Sequence, residues 1–172
     1  SGFFGGEGFI LQRIEGDVVF DDTFFDRSWA TAGWDKPQDI ARGPSYFAHV
    51  GALALNFDTV AVVVRPGATA GAPASVQLET AAPGVVTVDN RLTTRSSGRR
   101  SVKLEREVTG RSMNLVLTGS VPLSASAVRY YRTVPDPTAY FTAAFAAQLR
   151  AQGVSVAGSY VDGEAPQDSE EL

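Results

Sequence analysis

His49 is the single histidine of the chain, set between Ala48 and Val50. As part of a nucleophilic triad it would need an activated serine and an acid beside it in space. Without a signal for either, we read it as a structural side chain held by local hydrogen bonds. Asp17, Asp21, Asp22 and Asp26 gather oxygen ligands of the kind a hard cation takes. Their spacing lacks the glycine-centred loop of an EF-hand. Asp21-Asp22 therefore reads as the end of a strand, capping the segment next in the chain, and no metal is expected. Gly5-Gly6-Glu7-Gly8 is no phosphate loop, because no strand precedes it and no Gly-Lys-Ser/Thr comes after it. Ser112-Met113-Asn114 spells Ser-x-Asn, but it stands where an apolar strand begins, a context that suits a strand better than a catalytic serine. No cofactor is expected.

These residues must be carried by a chain of 172 residues, enough for one ordinary domain or two small ones. Apolar residues make up 44% and charged residues 20%, the balance of a packed globular core. The net charge is −4 and the pI about 5.0, with no basic block longer than Arg99-Arg100, which argues against a nucleic-acid surface. There is no cysteine, so disulfides, thiolate metal sites and a cysteine nucleophile are excluded. No apolar run reaches the length of a membrane span.

Hydrophobic period assigns the elements. Residues 16–22 read as a short buried strand bounded by Gly16 and Asp21-Asp22. Residues 26–45 hold Gly33, Pro37, Gly43 and Pro44 without helical period, so a long loop is expected there. Strands then recur about every ten residues. They fall at 60–64, 75–80, 85–88 continuing through 92–94, 101–106, 114–119 and 128–134, an antiparallel β pattern. Alternation turns Val62, Val76, Leu78, Val86, Val102, Leu104, Leu115 and Leu117 inward. A helix comes next at 138–152, with Asp136 as N-cap, Pro137 at its first position and Gly153 as its stop. Phe141, Phe145 and Leu149 form its apolar stripe. Residues 154–161 read as a strand and 162–172 as an acidic tail. The expected fold class is α+β. Residues 1–56 and 135–161 would form a small discontinuous α/β piece, interrupted by an inserted antiparallel β domain at 57–134.

Two segments, Gly16-Asp17 through Asp21-Asp22 and Ala52-Leu53-Ala54-Leu55-Asn56, stand out. With Gly33-Trp34, Arg65-Pro66-Gly67 and Val134-Pro135-Asp136-Pro137 they come in an order that resembles the D-alanyl-D-alanine carboxypeptidases of the class C, low-molecular-weight penicillin-binding type. The resemblance runs from about residue 14 to residue 161 and concerns the accessory domains inserted into that family's catalytic domain. The family's chemistry needs a serine followed one helical turn later by a lysine that takes its proton. No serine here has a lysine three positions on, and Val108-Thr109-Gly110 and Leu117-Thr118-Gly119 lack the lysine of Lys-Thr-Gly. The resemblance thus implies the accessory part of a penicillin-binding carboxypeptidase or endopeptidase, without its catalytic motifs, as a piece of a longer protein or as a motif-less homologue.

The same resemblance implies a substrate wall. Relatives send a loop with a Trp, an Asp and an aromatic towards the cleft, and here Trp34, Asp39 and Tyr46 match it, with Asp35 as a rival acid. A Trp and a carboxylate together suit an ammonium group, and a plain packing role for Trp34 is the rival reading. The implied partners are the catalytic domain and a peptidoglycan peptide, and the implied location is periplasmic or otherwise extracytoplasmic. A module that binds cell-wall material or a protein partner on its own, or a structural spacer, would be the alternative.

Overall fold

The computed structural model describes residues 11–25, 43, 49 and 51–166. Among the described residues, ten strands and one helix succeed one another in the order β1 (Arg13–Ile14), β2 (Val18–Phe20), a 3-10 turn (Asn56–Asp58), β3 (Thr59–Arg65), β4 (Ser75–Leu78), β5 (Val86–Arg95), β6 (Ser101–Thr109), β7 (Ser112–Pro122), β8 (Val128–Thr133), α1 (Pro137–Ala151), β9 (Ser155–Val156) and β10 (Tyr160–Asp162). The fold class is α+β, as the strand spacing and the single helical stretch imply.

Two three-stranded sheets face each other across the core. In one, β3 lies between β4 and β8, antiparallel to both. Its β-branched run turns Val60, Val62 and Val64 inward. In the other, β7 lies between β5 and β6. The β6–β7 hairpin closes through Gly110 and Arg111, with Gly110 at φ +58°. One pairing departs from the antiparallel expectation: β5 runs parallel to β7 over its whole length, from Val86↔Met113 to Arg95↔Pro122. The turn at Ser96-Ser97-Gly98 does not fold β6 back beside β5. It carries β6 across, and β7 takes the centre, where both its edges are paired. β7 is the most apolar of these strands, and Leu115, Leu117 and Val121 are buried in it. Gly119 of β7 is required by contact as well as by φ (+114°), because a Cβ there would run into the Ser101 carbonyl.

The core takes in the residues that alternation turned inward: Val62, Val86, Leu104, Leu115 and Leu117 are buried, and Val76, Leu78 and Val102 pack against them. It also extends to Val134 and Tyr140, so the helix shares it. Asp136 accepts the Ala139 N–H at 2.8 Å as the N-cap, Pro137 opens the helix, and Gly153 ends it at φ +79°. Phe141 and Phe145 meet Phe20 of β2 edge-on, with centroids 5.8 and 5.7 Å away. The expected single strand at 154–161 is two. β9 pairs parallel with β1, and β10 pairs parallel with β2. The break falls at Gly158, where a Cβ would collide with Gly16 and the Asp17 carboxylate. Asp17 instead accepts the Ser159 N–H at 2.7 Å.

Candidate functional site

The substrate-wall residues Trp34, Asp39 and Tyr46, and Asp35 with them, lie outside the described residues, as does Asp26. The described residues define how the segment that bears them is held at its two ends. β2 delivers Asp22, and the chain returns at 51–55. Asp22 is buried, and its Oδ1 accepts the backbone N–H of Ala52 at 2.9 Å and of Leu53 at 3.4 Å. Its Oδ2 accepts the hydroxyl of Thr138 at 2.6 Å. One carboxylate therefore ties the start of the segment, its end and the first turn of α1. A charge taken out of water is tolerated here because three donors meet it.

Within the segment, Gly43 touches the β sheets. The Gly43 carbonyl accepts the Thr133 N–H at 2.9 Å. Gly43 has φ +55°, and a Cβ on it would come within 2.7 Å of Arg106 Cδ and 2.9 Å of the Thr133 hydroxyl. A glycine is needed on both counts. His49 is half-buried, and burial and the nearby Arg106 charge lower its pKa, against an upward pull from Asp136. Burial and the Arg106 charge both disfavour the imidazolium form.

After the segment returns, the backbone enters Asn56-Phe57-Asp58 with φ of 52°, 54° and 51°. Left-handed conformation is uncommon for a non-glycine residue and an outlier for a bulky one. Asp58 has 0% exposure and Phe57 84%. The Asp58 Oδ1 accepts the Leu55 N–H at 3.2 Å, while Oδ2 has no hydrogen-bond partner among the described residues. Burial pushes its pKa up to about 6, with the Asp22 charge adding to the rise and the Leu55 N–H opposing it.

On the other side of the helix start, Arg111 reaches from the β6–β7 hairpin to two carboxylates. It donates to Asp136, the helix cap, and through Nη2 to Asp162 of β10 at 2.6 Å. The hydrogen bond to Asp136 leads the factors that raise its pKa further. Hairpin, helix and β10 are thus tied at one guanidinium.

No arrangement for covalent chemistry is present among the described residues. Ser112 Oγ donates to the Thr109 carbonyl at 3.0 Å, and Asn114 donates to Glu107 at 3.2 Å, so the Ser-x-Asn string is a hairpin. No cluster of metal-binding side chains occurs among the described residues. Asp21 Oδ1 accepts from the N–H and hydroxyl of Thr23, at 2.9 and 2.6 Å, and its Oδ2 from the Ala165 N–H at 2.9 Å. These carboxylates serve the backbone, as the strand-end reading of Asp21-Asp22 expects. Among the described residues, no helix is long and apolar enough to cross a membrane.

Sequence reasoning passed over Asp58, Thr138 and Arg111. Asp58 left a trace in Leu55-Asn56-Phe57-Asp58, a polar interruption before an apolar strand. Thr138 and Asp22 are 116 positions apart, and nothing local announces their pairing.

This α+β fold has counterparts among solved structures. Penicillin binding protein 4 (dacB) from Haemophilus influenzae superposes with a TM-score of 0.63 at 18% identity, over 92% of this chain and 34% of that one. The same protein complexed with a novel beta-lactam gives 0.51 at 15% identity, over 92% and 31%. The fold is that of a penicillin-binding protein region. In sequence, the chain is 34% identical over 164 residues to the D-alanyl-D-alanine carboxypeptidase of Actinomadura sp. (strain R39), which covers 92% of this chain and 29% of that protein. Residues 11–172 match the D-Ala-D-Ala carboxypeptidase 3 (S13) family. The chain belongs to that family, and it spans less than a third of the length of this curated relative.

Proposed function

We propose that this chain is the non-catalytic accessory region of a serine-type D-alanyl-D-alanine carboxypeptidase or endopeptidase that acts on peptidoglycan stem peptides outside the cytoplasm. In this reading it divides into a discontinuous piece, 1–56 with 135–161, and an inserted β domain, 57–134. It shapes one wall of the substrate cleft through the segment that bears Trp34, Asp39 and Tyr46, and the catalytic domain is its partner. The observation that carries the reading is the Asp22 brace, which holds both ends of that segment to the helix. Family membership and the want of any Ser-x-x-Lys in these 172 residues support it.

The test has two arms. Incubated with benzylpenicillin, this chain gains no stoichiometric mass, because no lysine stands where it could activate a serine. In the full-length enzyme, Asp39→Ala lowers turnover of a stem peptide with a free side-chain amine far more than that of its acylated analogue, because a carboxylate favours only the charged one. Equal losses for both peptides would remove Asp39 from the substrate wall.

A further inference from the structure

The outer face of the β4–β3–β8 sheet carries a cleft of about 390 Å³ beside the left-handed turn. Its walls are aromatic. Phe57 is almost wholly exposed, and Tyr131 of β8 is 43% exposed. Its base is polar and neutral. Asn56 donates to the Thr80 hydroxyl at 3.0 Å, and from the core behind them the Tyr140 hydroxyl donates to the Thr59 carbonyl at 3.4 Å. Glu79 closes one side, with its Oε1 held by Arg129 at 2.5 Å.

The turn that presents Phe57 is held against its own preference. Thr59 Oγ1 donates to the Asn56 carbonyl at 2.8 Å, Asp58 N–H to the Leu55 carbonyl at 2.9 Å, and Val134 N–H to the Asp58 carbonyl at 2.9 Å. Backbone held in a sparsely populated region by several such bonds is typical of ligand clamps. Here its effect is to turn an aromatic ring out of the core and stand it at the mouth of the cleft.

Chemistry selects the occupant. No lysine or arginine lines the cleft, so an anion finds no counter-charge. The one carboxylate is already paired, so a cation gains little. There remain two aromatic side chains, neutral hydroxyl and amide groups and one charge-paired carboxylate, within a space at the small end of ligand sites. A pyranose ring meets both: its C–H face lies against an aromatic ring, and its equatorial hydroxyls reach neutral donors and acceptors. We infer that the cleft between Phe57 and Tyr131 is a binding subsite for a neutral saccharide, with Asn56, Thr80 and Glu79 as its hydrogen-bonding groups. The inference stands on this cleft alone and does not depend on the accessory-region reading.

The whole chain, titrated with chitotetraose and separately with cellotetraose, tests it by amide chemical shifts. At least one saccharide should give saturable shifts confined to residues 56–61, 79–80 and 131, and the difference between the two shows whether an acetamido group is needed. Phe57→Asn and Tyr131→Ala should each weaken binding about tenfold. Phe57→Asn is the informative variant, because asparagine tolerates left-handed backbone and keeps the turn while removing the ring. No saturable shift with either saccharide would overturn the inference. So would shifts elsewhere, or undiminished binding in a folded Phe57→Asn protein.

Discussion

Asp58→Asn should stabilise this protein at neutral pH and leave it unchanged in acid. The carboxyl is fully buried, one oxygen has a single N–H donor, and the other has no partner among the described residues. Burial and the Asp22 charge raise its pKa from 3.8 to about 6. Below pH 3.8 the folded and unfolded chains both hold the proton, and the site contributes no pH dependence. Between 3.8 and about 6 the folded chain keeps a proton that the unfolded chain has released, so stability falls as pH rises. Above about 6 the carboxylate is ionised in both states and the full penalty applies. At 1.36 kcal/mol per pKa unit, that penalty is about 3 kcal/mol. Asparagine removes the charge, can still accept the Leu55 N–H, and is among the residues best suited to φ near +50°. Urea unfolding of both proteins from pH 4 to 8 measures the effect. The variant should gain up to about 3 kcal/mol at pH 7, and the gain should vanish towards pH 4. His49 titrates in both proteins and drops out of the difference. A variant less stable than the parent at pH 7, or a gain that does not change with pH, would refute the reasoning.

Other substitutions probe the core and the brace. Leu104, 9% exposed among apolar neighbours, should cost about 2–4 kcal/mol when replaced by Ala, read from the denaturant midpoint at constant slope. A loss below about half a kcal/mol would contradict its place in the core. Thr138→Val strips Asp22 of its hydroxyl donor and should cost about 1–3 kcal/mol, whereas Thr138→Ser keeps the donor and should cost much less. A larger loss for Thr138→Ser than for Thr138→Val would mean that the methyl group, not the hydroxyl, matters. His49→Gln should reduce the stability lost on acidification below about pH 6.5, because burial and Arg106 disfavour the imidazolium in the folded chain and the parent loses stability as pH falls through that value. Thermal midpoints across pH 5–8 would show it.

The features legible in the sequence are those that one element specifies for itself. Val60 to Val64 announces a buried strand by composition, and the Asp136-Pro137 pair and Gly153 bracket the helix by backbone chemistry alone. The inward set from Val62 to Leu117 comes from a period of two, and all eight residues join the core. The features that escape such a reading depend on partners chosen across the chain. The parallel run of β5 along β7 is set by which strand takes the centre of the sheet, and the turn at Ser96-Ser97-Gly98 gives no sign of it. The break at Gly158 exists because Gly16 lies opposite, far back in the sequence.

The site divides in the same way. Trp34 and its acids are visible as residue types, whereas Asp22, at the start of the segment, takes its three donors from the far end of the segment and from α1, which no local pattern announces. Asp58 shows the cost of such an arrangement. It sits near enough to Asp22 for the two charges to repel, and it is the less well satisfied of the pair. A fold selected for stability alone would place a neutral residue there. The carboxylate coincides with the left-handed turn that holds Phe57 out of the core, so the same three residues carry an electrostatic cost, a conformational cost and an exposed aromatic. Local rules broken together at one place mark a site kept for what it presents rather than for how it packs. If Asp58→Asn gains its stability and loses saccharide binding, the ionised carboxylate sets the turn's geometry. If it gains stability and keeps binding, the backbone hydrogen bonds of Asn56, Asp58 and Val134 suffice to present Phe57.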